Sequence, residues 1–87
     1  MNDVIDVKQN KLSDCFSTYS KENSIKITNT LNLKGSYTVF DNWGQEIGQK
    51  ELAGTTSNVT LNIPGVYFIR IHAEDNFIVK KVIVGSN

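Results

Sequence analysis

Few side chains in this sequence have the makings of covalent chemistry. The chain of 87 residues holds one cysteine, Cys15, and one histidine, His72. A thiol and an imidazole are the minimum for a nucleophile and its base, but no local motif surrounds either residue. Cys15 reads as a small core residue of a strand rather than as a reactive or intermolecular thiol. His72, two residues after Arg70, reads as a surface histidine on the polar face of a strand. A lone cysteine forms no internal disulfide, and with a lone histidine it falls short of the three or four ligands of a zinc site. The neighbouring carboxylates Glu74-Asp75 fall in a predicted turn, where such residues serve backbone geometry. Gly44, Gly48 and Gly54 are too scattered to form a phosphate-cradling loop. No catalytic residue, metal or cofactor is expected, and the chain does not read as an enzyme.

Binding chemistry is better represented. Trp43 and Tyr37 are the aromatics from which a carbohydrate-stacking surface would be built, the alternative being that Trp43 caps a hairpin and packs on a sandwich edge. Asn58-Val59-Thr60 matches a glycosylation sequon, a short pattern that is common by chance.

Charge removes several partners. Nine basic residues balance nine acidic ones, for a formal net charge of zero. Nucleic-acid binding needs a basic stripe to displace counterions from phosphates, and a polybasic membrane surface needs the same excess. No segment reaches the roughly 18 apolar residues of a membrane helix, so direct membrane insertion is not expected. Residues 1–9 lack the charged and apolar regions of a signal peptide.

The elements that must position these residues are short. β-branched and aromatic runs alternate with Gly, Asn, Asp and Lys, and no helical period persists. Residues 1–11 read as a linker or lead-in, and residues 12–87 as the domain. Strands are expected over Ser13–Tyr19, Ser24–Thr30, Tyr37–Asp41, Gln45–Leu52, Val59–Ile63, Val66–His72 and Phe77–Val84. Asp41-Asn42-Trp43-Gly44 has the chemistry of a type I turn followed by a left-handed glycine, which gives a hairpin with a bulge. Residues 54–57 read as a loop, and Pro64-Gly65 redirects the chain. The segment Leu61–Val84 reads as the hairpin that closes the fold. In its last strand each parity puts Lys80 or Lys81 among apolar residues, which a strand covered on both faces or a bulge would explain. About seven strands of this length need two packed antiparallel sheets to cover their apolar faces. The expected fold is an all-β, immunoglobulin-like antiparallel β-sandwich.

Four features then line up in order. Tyr37-Thr38-Val39-Phe40 runs into Asp41-x-x-Gly44-Gln45, followed by Val59-Thr60-Leu61-Asn62-Ile63 and by Pro64-Gly65-Val66-Tyr67-Phe68-Ile69-Arg70-Ile71. Val79-Lys80-Lys81-Val82-Ile83-Val84 comes last. From Phe16 to Val84 this resembles the type A C-terminal sorting domain on cargo of the type IX secretion system of Bacteroidetes. Many members carry a Tyr-Pro-Asn-Pro-like turn after the first strand, where this chain has Tyr19-Ser20-Lys21-Glu22-Asn23.

The resemblance implies transport. Such a domain directs its cargo across the outer membrane, from periplasmic transit to the cell surface or the medium. Its partners would be outer-membrane secretion components and a sortase-like cysteine peptidase, which would cut within residues 1–11. Gly65, Tyr67, Lys80, Lys81 and Val82 are the expected recognition set. Each also has an architectural reading: Gly65 for its turn, Tyr67 for the core, the lysines as gatekeepers against aggregation. An exposed terminal strand also offers a route to a homodimer by strand exchange. The alternative is an immunoglobulin-like module, for carbohydrate or protein binding or for signalling, retained on a cell-surface protein or a secretion-machinery component.

Overall fold

The computed structural model describes Leu12 and residues 14–85, so the expected lead-in over residues 1–11 lies outside the described residues. Seven strands follow in order: β1 (Phe16–Lys21), β2 (Ser24–Asn29), β3 (Gly35–Phe40), β4 (Glu46–Glu51), β5 (Thr56–Thr60), β6 (Gly65–Ala73) and β7 (Asn76–Val84). They form two antiparallel sheets, ordered β1-β2-β5 and β4-β3-β6-β7. This is the immunoglobulin-like sandwich expected from the pattern of short alternating runs.

Alternation decides which residues meet between the sheets. Ile25 and Ile27 of β2 point inward, as do Tyr37 and Val39 of β3 and Tyr67, Ile69 and Ile71 of β6. Phe16, Val82, Val84 and Leu12 complete the buried cluster. Burying each of these side chains is worth about 1.5–3 kcal/mol, enough in sum to hold a domain of this size.

Two strands sit away from their expected places. The first begins at Phe16, with Asp14 and Cys15 ahead of it and Cys15 packed against the core cluster. The fifth spans Thr56–Thr60 rather than Val59–Ile63. Its partner explains the shift: Ser24 of β2 pairs with Thr60, and beyond it only Asn23 reaches the chain, its carbonyl accepting from Leu61 N at 2.8 Å and its Nδ2 donating to Asn62 Oδ1 at 3.3 Å. Beyond that point β2 offers nothing to pair with, so Leu61–Ile63 becomes the crossover between sheets. The closing hairpin is therefore Gly65–Val84, not Leu61–Val84.

The turns follow the residues available. Gly44 N donates to the Asp41 carbonyl and Asp41 N to the Gln45 carbonyl, both at 3.0 Å, which closes the expected turn with Gly44 at φ 82°. A bulge follows, since Val39 faces Gly48 but Phe40 faces Glu46, leaving Ile47 as the extra residue. Ala73 pairs with Asn76 across Glu74 and Asp75, whose φ values of 53° and 62° make a two-residue turn of the mirror-image type. Gly35 is fixed by proximity: a Cβ there would lie 1.9 Å from the His72 carbonyl oxygen.

One buried polar residue ties two loops together. Asn29 Nδ2 donates to the carbonyls of Leu33 (2.8 Å) and Gly54 (3.2 Å), and its Oδ1 accepts from Leu33 N (3.0 Å). The side chain has no exposed surface, so these bonds replace all its water.

Candidate recognition surface

The terminal hairpin is held at its base by Gly65 and Tyr67. Gly65 has φ 156° and would meet nothing within 4 Å if it carried a Cβ, so the backbone conformation, not crowding, calls for glycine. Two residues on, the Tyr67 ring lies in the core while its hydroxyl donates to the Ile63 carbonyl at 2.5 Å. This is the tyrosine corner of immunoglobulin-like sandwiches: a phenol on an inner strand pins the preceding crossover.

β7 runs in unbroken register with β6 from Gly65↔Val84 to Ala73↔Asn76. It has no bulge, and it is an edge strand, so neither expected explanation of its mixed parity holds. Instead both faces carry apolar residues because one is core and the other is bare. Ile78, Lys80, Val82 and Val84 point inward, with Lys80 half-buried opposite Ile69. Phe77, Val79, Lys81 and Ile83 point outward and are exposed.

The outward residues also own the free edge. Ser20 Oγ of β1 donates to the Ile83 carbonyl at 2.8 Å, so that carbonyl points away from β6. Backbone groups in an antiparallel pair alternate in direction, which gives Phe77, Val79 and Lys81 the same outward orientation. The edge thus offers N–H and C=O groups from Phe77 to Lys81 beside an apolar stripe interrupted by Lys81, while the Ile83 carbonyl is already taken by Ser20.

Behind the stripe lies the outer face of β6 and β3. The Arg70 guanidinium sits 5.0 Å over the Phe40 ring, and its buried Nε has no hydrogen-bond partner. The His72 and Phe77 rings are 5.6 Å apart. Phe68 pairs with Lys81 and Val66 with Ile83, so the surface mixes apolar area with the cations of Arg70 and Lys81.

The two aromatics expected to share a surface do not. Tyr37 alternates inward on β3 and is only 4% exposed, and burial pushes its phenol pKa up. Trp43 sits at the tip of the β3–β4 hairpin, 89% exposed, and does not pack on the sandwich edge. Phe77, Val79 and Ile83 are not among the expected recognition residues; their common parity, opposite to Val82 and Val84, is the sequence signal that marks them. Among the described residues, no cluster of three His, Cys, Asp or Glu side chains is placed to hold a metal ion.

A family model described as a secretion system C-terminal sorting domain matches residues 19–85. No curated protein matches the chain.

Proposed function

The chain belongs to the type IX secretion C-terminal sorting domain family, not an enzyme family, and on that premise we propose that its terminal hairpin is the part the translocon reads. The family carries the coarse role: a C-terminal signal for export to the cell surface or the medium. The finer reading rests on one observation, the β7 edge that no strand pairs with, carrying outward Phe77, Val79, Lys81 and Ile83 and touched by β1 at the Ser20–Ile83 bond. An outer-membrane component adding a strand there gains main-chain hydrogen bonds and three exposed apolar side chains together. Lys81 then sets register and suppresses promiscuous pairing. Lys80 and Val82 act from the inner face by holding β7 in place, while Gly65 and Tyr67 shape the hairpin.

Removal by a sortase-like peptidase after periplasmic transit fits the same picture. A cut within residues 1–11 precedes Leu12, the first residue of the buried cluster, and spares the sandwich. Exchange of β7 between copies is the homodimer that this edge permits, and it competes with recognition for the same backbone groups.

The test fuses residues 1–87 behind an exported fluorescent protein in a bacterium with this secretion system. Delivery of the reporter to the cell surface is expected, with periplasmic retention when Lys80–Asn87 is deleted. Because that deletion also removes core residues, Val79→Pro is the sharper variant. Proline at an outward position removes an edge N–H without breaking the β6–β7 ladder. Full delivery by Val79→Pro sinks edge recognition, and retention of the intact fusion sinks sorting.

A further inference from the structure

At the pole where β3 ends, the crossover from β5 arrives and β7 finishes, Trp43, Ile47, Ile63, Pro64 and Val66 line a depression of about 320 Å³. Its apolar residues are not holding the fold. Trp43 is 89% and Ile63 72% exposed. The turn beneath the indole is made by other atoms: Asp41 Oδ1 accepts from Trp43 N and Gln45 N, both at 2.9 Å. A turn fixed through its backbone tolerates a polar side chain at Trp43, so an apolar surface of this size needs a reason outside the fold. Val66 pairs with the outward Ile83, which makes the depression continuous with the apolar stripe of β7.

The geometry points to a docking site for a partner polypeptide that seats an apolar side chain in this depression and lays an Arg or Lys on the Trp43 indole beside Asp41. Charge selects the cation: Asp41 is the one charged residue among those lining the depression, and its Oδ2 takes no part in the turn. An indole face with an adjacent carboxylate favours a cation, and an aromatic anchor in an apolar pocket has the make-up of a binding hot spot. A sugar ring needs several converging polar groups around the indole; Asp41 and Asn42 supply two, the Tyr67 hydroxyl is taken by the Ile63 carbonyl, and Ile47, Ile63, Pro64 and Val66 are aliphatic. Position agrees. Phe16 pairs with Asn29 at the far pole, so β1 begins opposite Trp43. The inference rests on the sorting reading and adds a second contact to it.

The same reporter fusion tests it, with Trp43→Ala, Trp43→Arg and Asp41→Asn. The asparagine keeps an Oδ1 acceptor for the turn and removes only the charge. Surface delivery should fall at least roughly tenfold for both Trp43 variants, and measurably for Asp41→Asn. Thermal unfolding of the full chain should be unchanged by the Trp43 variants; a lowered midpoint would make Trp43 a fold residue and overturn the proposal. A photo-crosslinking amino acid at position 43 should trap a secretion component in living cells, and one at the exposed Lys26 of β2 should not. Crosslinks only to the reporter or to a second copy, displacement by added glycan, or normal delivery by Trp43→Arg would each overturn docking; normal delivery by Asp41→Asn would remove the cation. If the intact domain is not delivered, sorting itself falls and this inference with it. If it is delivered and its variants are delivered equally well, this inference alone falls.

Discussion

Tyr67 reaches from β6 back to the carbonyl of Ile63, four residues earlier, and so locks the crossover that carries the chain from the small sheet to the large one. The bond joins a buried ring to a segment whose own side chain is exposed. Without it, the link between sheets would rest on Pro64 and on the contacts of Asn23 with Leu61 and Asn62.

Tyr67→Phe keeps the ring in the core and removes only this bond. A loss of about 0.5–1.5 kcal/mol is expected, or a lowering of the unfolding midpoint by roughly 3–10 °C for a domain this small. Thermal melts followed by circular dichroism measure it. An unchanged midpoint would show that the crossover is held without the phenol.

Asn29 should matter more than any other polar side chain on the small sheet. Asn29→Ala leaves the Leu33 amide and the Leu33 and Gly54 carbonyls without their partner. The expected cost is about 2–4 kcal/mol, since each abandoned buried group carries its own desolvation penalty. Asn29→Asp should be nearly as costly, because the carboxylate cannot donate to either carbonyl and arrives charged in a fully buried site. Urea titration of the three proteins would reveal the order, and a neutral Asn29→Ala would refute this reading.

The parts of the fold visible in the sequence are those governed by local chemistry. Asp41 through Gly44 announces its turn, and Ile25-Lys26-Ile27 announces a strand with one wet face. The end of β5 is not visible, because Val59, Leu61 and Ile63 alternate correctly while the start of β2 at Ser24, opposite Thr60, decides where pairing stops. Asn29 is hidden for a similar reason: its partners, Leu33 and Gly54, lie on two loops whose meeting no local pattern encodes. Trp43 and Tyr37 are close in sequence, but a strand and a turn between them send one side chain to solvent and the other to the core. For the recognition surface, Lys80 and Lys81 are legible as an anomaly of parity. That the anomaly means a bare outer face requires the strand order.

The β6–β7 turn is built against residue preference. Glu74 and Asp75 both have positive φ, a conformation that an Asn-Gly pair adopts readily and Glu does not. The double substitution Glu74→Asn with Asp75→Gly installs that preferred dipeptide and should stabilise the domain by about 0.5–1.5 kcal/mol. The change leaves Phe77, Val79, Lys81 and Ile83 in place on β7 and lies at the pole away from Trp43, so sorting should persist. A fall in the melting midpoint would mean that the acidic side chains support the turn in some other way.

Lys81 provides the sharpest probe of β7 because it interrupts an otherwise apolar edge. Phe77, Val79 and Ile83 share its face, and the backbone groups of this stripe point away from β6. Lysine there does two things: it penalises in-register pairing with a like strand, and it keeps the apolar patch discontinuous. Lys81→Ile removes both obstacles while raising β propensity, so the fold itself should be at least as stable. The expected result is self-association that grows with protein concentration, visible by size-exclusion chromatography with light scattering. Val79→Lys should oppose it and restore a monomer in the double variant. If Lys81→Ile stays monomeric at high concentration, Ser20 and β1 shield the edge, and recognition by strand addition would have to displace them first.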